Sequence, residues 1–166
     1  MTPIGVGAAY ARTGEVQSCY LVQADSTHVC LDLGAGAVNA LQAQVAPHEL
    51  DAVVISHSHP DHCIDLLALH VYMYWGPGGR RPMRVLGPAG LLEQLRTVGS
   101  DRGWQETFDF TAVTDGQVLQ IGEMQLRFAL VPHIPQTFAV RVEVGTRSIT
   151  YGADCTANDA LVDLAA

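Results

Sequence analysis

Long apolar runs are missing from this 166-residue sequence: no uncharged stretch approaches the roughly 20 residues that a membrane span needs. The opening Met1-Thr2-Pro3-Ile4 shows no basic segment followed by an apolar one, so a soluble, cytoplasmic protein is expected. Cysteine is sparse and unpaired in pattern. Residues 19, 30, 63 and 155 form no CxxC and no tight framework, which argues against a disulfide scaffold or zinc finger and leaves buried free thiols. Basic charge is also scarce, with 9 basic against 17 acidic residues, 9 − 17 = −8. Such a surface repels nucleic-acid phosphates unless a local patch or a bound metal reverses the field, so a large folded RNA is disfavoured as substrate.

What the sequence does have is hydrophobic content, 48% of residues, enough for one sizeable core and a single domain over residues 1–166. Short β-branched runs alternate with helical patterns in the first half, and Gly, Asp or Pro falls at most junctions. Strands are expected at residues 4–8, 19–23, 28–33, 52–55 and 83–86, with helices at 35–45, 61–74 and 89–98. Residues 75–79 break the second helix. Five runs at 108–113, 118–121, 124–131, 137–144 and 148–151 alternate apolar and polar residues around Asp115-Gly116 and Gly145-Thr146, the pattern of an antiparallel meander. A short helix over 158–166 ends the chain. The fold class is therefore mixed α/β.

The fully apolar strand at 52–55 runs directly into His57-Ser58-His59-Pro60-Asp61-His62. Three imidazoles and a carboxylate within six residues are the donors preferred by Zn²⁺ and related borderline ions. One or two histidines would read as ordinary loop polars; four ligand-type residues in six do not. His57 and His59 lie two apart, so an extended loop presents both on one side. Pro60 suits the first position of the following helix, which would place Asp61 and His62 on its first turn.

Ser-His-Ser-His-Pro-Asp-His resembles the HxHxDH signature of the metallo-β-lactamase-fold hydrolases. Leu31-Asp32-Leu33-Gly34 is similar to that family's strand-ending Asp-x-Gly, whose aspartate is implied to brace the histidine loop without binding metal. His133 follows the strand at 124–131, where the family supplies a third histidine, and Tyr151-Gly152-Ala153-Asp154-Cys155 resembles the segment that carries its bridging aspartate. The resemblance spans the whole chain and implies an αββα sandwich with two metal ions, expected as zinc, with manganese or iron as alternatives. His57, His59 and His133 would hold the first ion, and Asp61, His62 and Asp154 part of the second.

Family members normally continue further and present one more histidine, yet none follows His133 here. The expectation is a C-terminally truncated form of the fold, since the chain stops inside a helical pattern; an uncovered sheet would invite homo-oligomers. Two bridged ions supply a hydroxide at neutral pH, which makes hydrolysis the natural reaction class. The resemblance gives Asp61 the catalytic role of orienting the attacking water or taking its proton.

Lactam-hydrolysing members usually carry arginine where His62 stands, so His62 points to the broader dinuclear branch. The early glycines and the spacing from His62 to His133 are most similar to the tRNA 3′-processing ribonuclease-like phosphodiesterases. Those enzymes grip tRNA with a long arm, whereas one compact hairpin fits between His133 and Asp154. A small phosphodiester or other small ester is the expected substrate. The alternatives are a lactonase or thioesterase of the same fold and a catalytically impaired, mononuclear metal-binding domain acting through association. His70 reads as partly buried packing, and His28 and His48 as surface residues. The stretch from Trp75 to Arg81 is read with equal weight as a substrate-facing loop and as a plain connection.

Overall fold

In the computed structural model, which describes residues 1–10, 12–78, 81–99 and 103–166, hydrophobic pattern and pairing agree first at the centre of a six-stranded sheet. Thr2–Gly5 (β1), Cys19–Ala24 (β2) and Thr27–Leu31 (β3) pair antiparallel in sequence order. Ala52–Val54 (β4), Met83–Gly87 (β5) and Phe108–Ala112 (β6) then add in parallel. β4 has every residue buried, as befits a strand covered on both faces.

The parallel strands are joined by helical crossovers, as parallel pairing requires. These are Ala37–Leu41 (α1) with a 3₁₀ turn at Pro47–Glu49, then Pro60–Cys63 (α2) and Leu66–Trp75 (α3), then Leu91–Arg96 (α4) and Trp104–Thr107 (α5). A second sheet is an antiparallel meander of Val118–Ile121 (β7), Met124–Val131 (β8), Thr137–Val144 (β9) and Arg147–Tyr151 (β10).

Alternation along the strands builds two cores from one sheet. Cys30, Val53 and Val85 face the helices together with Leu41, Leu66, Leu69 and Trp104. Val29, Leu31, Val54 and Leu86 face the second sheet, where Leu126, Phe128, Phe138, Val140 and Val142 close over them. Asp159–Ala165 (α6) lies on the outer face of the second sheet, seating Leu164 against Val131 and Ala139. Asn158 caps it by accepting the Leu161 N–H at 2.8 Å. The layers are thus helices, sheet, sheet, helix, the expected αββα order.

Three expectations about elements are corrected. The run at 108–113 does not join the meander; β6 pairs in parallel with β5 from Met83↔Phe108 to Gly87↔Ala112. Alternation marks a strand but not its sheet, and the crossover through α4 and α5 returns the chain in the parallel sense. The helix expected at 61–74 is interrupted at Asp65, whose N–H is drawn to Leu33 O at 3.0 Å while its Oδ2 accepts Val38 N–H at 2.9 Å at the start of α1. β1 occupies Thr2–Gly5 and not 4–8, so residues 6–9 leave the sheet as a loop.

Candidate metal centre

Four chain segments converge beyond the carboxyl ends of β3, β4, β8 and β10, delivering Asp32, the 56–62 loop, His133 and Asp154 respectively. Ser56 O accepts the Phe138 N–H at 3.0 Å, which ties the loop after β4 to the second sheet. Pro60 opens α2 as expected, with His59 in the extended capping position and Asp61 and His62 on the first turn. Gly34 makes that approach possible: a Cβ there would lie 2.0 Å from the Asp61 carbonyl oxygen.

His57, His59, His133 and Asp154 each offer a ligand atom, and these atoms lie within 4.8 Å of one another. His57 Nε2 is 3.0 Å from His59 Nδ1, which is 3.3 Å from His133 Nε2. Beside this group, His62 Nε2 stands 3.4 Å from both Asp61 Oδ2 and Asp154 Oδ1. All six residues named from the sequence therefore meet in one place. His57 is fully buried and His62 is 5% exposed, whereas the Asp154 side chain is 48% exposed.

Asp32, fully buried, organises the cluster from behind. Its Oδ1 accepts the Ser56 N–H at 2.7 Å. Its Oδ2 accepts the Ser56 hydroxyl at 2.9 Å, the His62 Nδ1–H at 2.6 Å and the Tyr151 hydroxyl at 2.6 Å. The residue sits in the left-handed region at φ 59, a conformation that Asp and Asn tolerate better than most non-glycine residues. The bracing role expected for Asp32 thus has a hydrogen-bond basis.

These bonds also fix ring tautomers. Because the Ser56 hydroxyl donates to Asp32, it can only accept from His57 Nδ1 at 3.0 Å. His57 Nε2 is then left with its lone pair toward His59 and His133. His62 likewise spends its Nδ1–H on Asp32 and turns Nε2 toward Asp61 and Asp154.

Electrostatics distinguish the two imidazoles. Burial pushes the His57 pKa down to about 4, assisted by the charge of His62, so this ring is held in the neutral, ligating form. Burial also opposes protonation of His62, but the hydrogen bond and charge of Asp32, followed by Asp154 and Asp61, outweigh it and raise the pKa. Three carboxylates around one imidazole make a field that favours a cation among them. The donor set and this field both fit a divalent ion.

An open cleft of about 250 Å³ adjoins the His62 side, walled by residues 6–9, Ser18, Tyr20 and Tyr151. Gln17 holds that wall in place: its Nε2 donates to Ala8 O at 3.2 Å and Ala9 O at 3.0 Å, and its Oε1 accepts the Ala35 N–H at 3.1 Å. A larger cavity between α4 and α5, lined by Glu93, Arg96 and Trp104, contains none of the site residues.

Sequence reasoning missed Ser56, Ser18 and Tyr151. Ser56 carried no signal beyond preceding the motif. Tyr151 could have been found, since alternation places it on the inward face with Ile149, and an inward tyrosine needs a hydrogen-bond partner. His70 is buried against Trp104 with Nδ1 2.8 Å from Thr107 Oγ1, away from the site. His28 and His48 are half-buried: His28 Nδ1 lies 3.4 Å from Glu49 O, and His48 Nδ1 3.0 Å from Tyr72 OH.

In the stretch from Trp75 to Arg81, Gly79 and Arg80 lie outside the described residues. Arg81 donates to His48 O at 2.6 Å and Leu50 O at 2.9 Å, before β4 and therefore at the opposite end of that strand from the histidines. All four thiols are free, three of them buried and Cys155 half-buried. Burial, then Asp32 and Asp61, push Cys63 up to about 12, which leaves it inert as a nucleophile. No helix among the described residues is long and apolar enough to cross a membrane.

The family model described as anti-Pycsar protein Apyc1 matches residues 1–166. The chain belongs to the anti-Pycsar protein Apyc1 family. Within the curated proteins it is similar to ML1173 of Mycobacterium leprae, itself uncharacterised, at 29% identity over 175 residues, covering 99% of this chain and 61% of that one. It is also similar to YhfI of Bacillus subtilis, named a probable metallo-hydrolase, at 26% identity over 166 residues, covering 98% and 66%.

The crystal structure of YhfI, a metallo-β-lactamase fold protein, superposes with a TM-score of 0.83 at 25% identity, covering 95% of this chain and 63% of that one. Human tRNase Z, short form, gives 0.80 at 19% identity over 98% and 73%, which shows the shared fold. The Apyc1-family chain thus has the metallo-β-lactamase fold, as its motifs led one to expect. It spans about three fifths of the length of the first of these relatives.

Proposed function

We propose that this Apyc1-family chain forms the metal-binding part of a metal-dependent hydrolase acting on a phosphodiester or another small ester. The observation that carries the reading is the convergence of three imidazole nitrogens and a carboxylate oxygen within 4.8 Å, next to a second group in which His62 faces Asp61 and Asp154. His57, His59 and His133 would hold one ion, Asp61 and His62 would face the other, and Asp154 would bridge them, with zinc as the metal suited to this nitrogen-rich set. Ions bound there supply a water of near-neutral pKa and polarise the bond under attack.

The chain's own residues do the rest. Ser56 and Asp32 present the Nε2 lone pairs of His57 and His62 through the hydrogen bonds described above. Asp61, 14% exposed at its side chain, borders the cleft, which supports a role for it in orienting the attacking water or accepting its proton. Besides Asp61, His62 and Asp154, the cleft is lined by small or apolar residues of the 6–9 loop, Ala153, Ser18 and two tyrosines, with no arginine or lysine among the described residues that line it. That composition, the compact β9–β10 hairpin and the net charge of −8 favour a small substrate over a folded tRNA.

Names of relatives support hydrolysis: YhfI is called a probable metallo-hydrolase, and the family description assigns an anti-Pycsar role, which we extend to this chain as part of the proposal. The exposure of Asp154 favours one second reading, a mononuclear binding domain that acts by association.

Metal content of the purified chain, measured with hydrolysis of bis(p-nitrophenyl) phosphate, separates the two. Two ions per chain with turnover abolished by a chelator and restored by metal is the expected result. One ion or fewer and no turnover would favour the binding domain, and robust cleavage of precursor tRNA would sink the small-substrate reading.

A further inference from the structure

One phenol oxygen links the two sheets behind His62 and Asp154. Tyr151 ends β10 in the second sheet, while Asp32 follows β3 in the first, and the hydroxyl of one reaches the carboxylate of the other at 2.6 Å. Asp32 Oδ2 accepts both this hydroxyl and the His62 Nδ1–H, also at 2.6 Å. In the other direction the chain runs from Tyr151 through Gly152 and Ala153, the latter in the left-handed region at φ 53, to Asp154. His62 Nε2 and Asp154 Oδ1, 3.4 Å apart, are therefore both referred to the same point. Toward the first group the path is longer: Asp32 Oδ2 also accepts the Ser56 hydroxyl, which holds His57 Nδ1, but Ser56 is held independently by its N–H on Asp32 Oδ1, and the rings of His57, His59 and His133 pack directly on one another.

We infer that Tyr151 is a positioning residue that sets His62 against Asp154 and so governs the second-ion half of the site selectively; the inference rests on the two-ion reading. Burial, then the charge of Asp32, raises the phenol's pKa, in keeping with its hydroxyl donating to the Asp32 carboxylate. Ser18 Oγ, 3.0 Å from the same hydroxyl, holds it from the other side. Tyr20 packs beside it with ring centroids 5.1 Å apart.

The test is a Co²⁺ titration of the full 166-residue chain by calorimetry and visible absorption, comparing wild type, Tyr151→Phe and Tyr72→Phe. Tyr72 loses an equivalent phenol hydrogen bond, to His48 at 3.0 Å, away from the ligands, and so reports the general effect of deleting such a group. In Tyr151→Phe the first ion is expected to bind as in wild type and the second about 10–100-fold more weakly, the usual consequence of losing an outer-shell partner. Tyr72→Phe should leave both unchanged.

Two unchanged affinities in Tyr151→Phe, or two affinities lowered alike, would overturn the inference, because a merely structural role moves both ions together. Should Tyr151→Phe not fold, Ser18→Ala removes the phenol's second partner. It should weaken the second ion by about 2–10-fold, the worth of one ordinary hydrogen bond, with the first unmoved; equal or absent effects would again count against it. A wild-type chain that takes up a single ion overturns the two-ion reading and this inference with it, and that outcome is visible before any variant is compared.

Discussion

Asp32→Asn removes one charge and almost no volume from the middle of the site. Asn tolerates the left-handed φ of 59 as well as Asp does, so backbone strain is not introduced. The difference lies in the hydrogen bonds: the carboxylate is surrounded by donors on both oxygens, and the amide offers one acceptor and one donor. If its oxygen stays on Ser56 N–H, its NH₂ faces His62 Nδ1–H and the two hydroxyls. Hydroxyls can rotate and accept. The imidazole can accommodate the amide only by moving its proton to Nε2, which takes the lone pair away from Asp61 and Asp154. If the amide turns over, the buried Ser56 N–H loses its acceptor instead.

The first arrangement replaces a charge-assisted hydrogen bond by a neutral one and turns the His62 lone pair inward, and the second leaves a buried N–H unsatisfied; either is a loss of about 1–3 kcal/mol, partly offset because a buried charge no longer has to be desolvated. Metal affinity should fall by about 10–100-fold. The assay is urea unfolding of the metal-free protein together with a metal titration. Asp32→Asn should lower the unfolding midpoint without changing the slope and weaken metal binding in the same preparation. An unchanged midpoint with unchanged affinity would refute the view that Asp32 acts through these hydrogen bonds.

Two further outcomes follow from the packing around the site. Gly34→Ala places a Cβ 2.0 Å from Asp61 O and 2.6 Å from Gln17 Cβ, so both the start of α2 and the Gln17 latch must shift. A loss of about 1–3 kcal/mol is expected in thermal or urea unfolding, whereas Gly116→Ala, where a Cβ meets nothing within 4 Å, carries only the strain of its positive φ; equal losses would discredit the close-approach argument. Asp65 has its pKa raised by burial, against hydrogen bonds from the backbone N–H groups of Val38, Gly36 and Ala37. A raised carboxyl pKa means the folded state binds more protons, so this contribution is fully present below the unfolded value of about 4 and is lost as pH rises through the folded value. Stability of Asp65→Asn relative to wild type should therefore increase across that window in urea unfolding at stepped pH, and a pH-independent difference would show that burial does not dominate.

How much was legible beforehand depended on whether the signal was local. The histidine loop was readable because its donors are adjacent in sequence and its Pro60 and β4 signals are short-range. The meander at β7 to β10 was readable for the same reason, since hairpins are specified by neighbouring turns. What failed were partnerships between distant segments. β6 alternates like its successors, and only its register with β5 assigns it to the first sheet. The helix break at Asp65 comes from Leu33 O and Val38 N–H, about thirty residues upstream, and no propensity within 61–74 encodes it.

Tyr151 illustrates the limit most sharply. As a residue in an alternating strand it reads as core packing, and its partner, Asp32, lies 119 positions away in the other sheet. The charge on Asp32 changes its meaning: a tyrosine facing a buried carboxylate that also holds an imidazole is no longer a packing residue but part of the arrangement that aims that imidazole. The ligands of a metal centre are thus the part of it that composition and spacing reveal. The groups that orient them are chosen by the fold, and a substitution such as Tyr151→Phe separates the two because it leaves every ligand in the sequence while altering what the sheets hold in place.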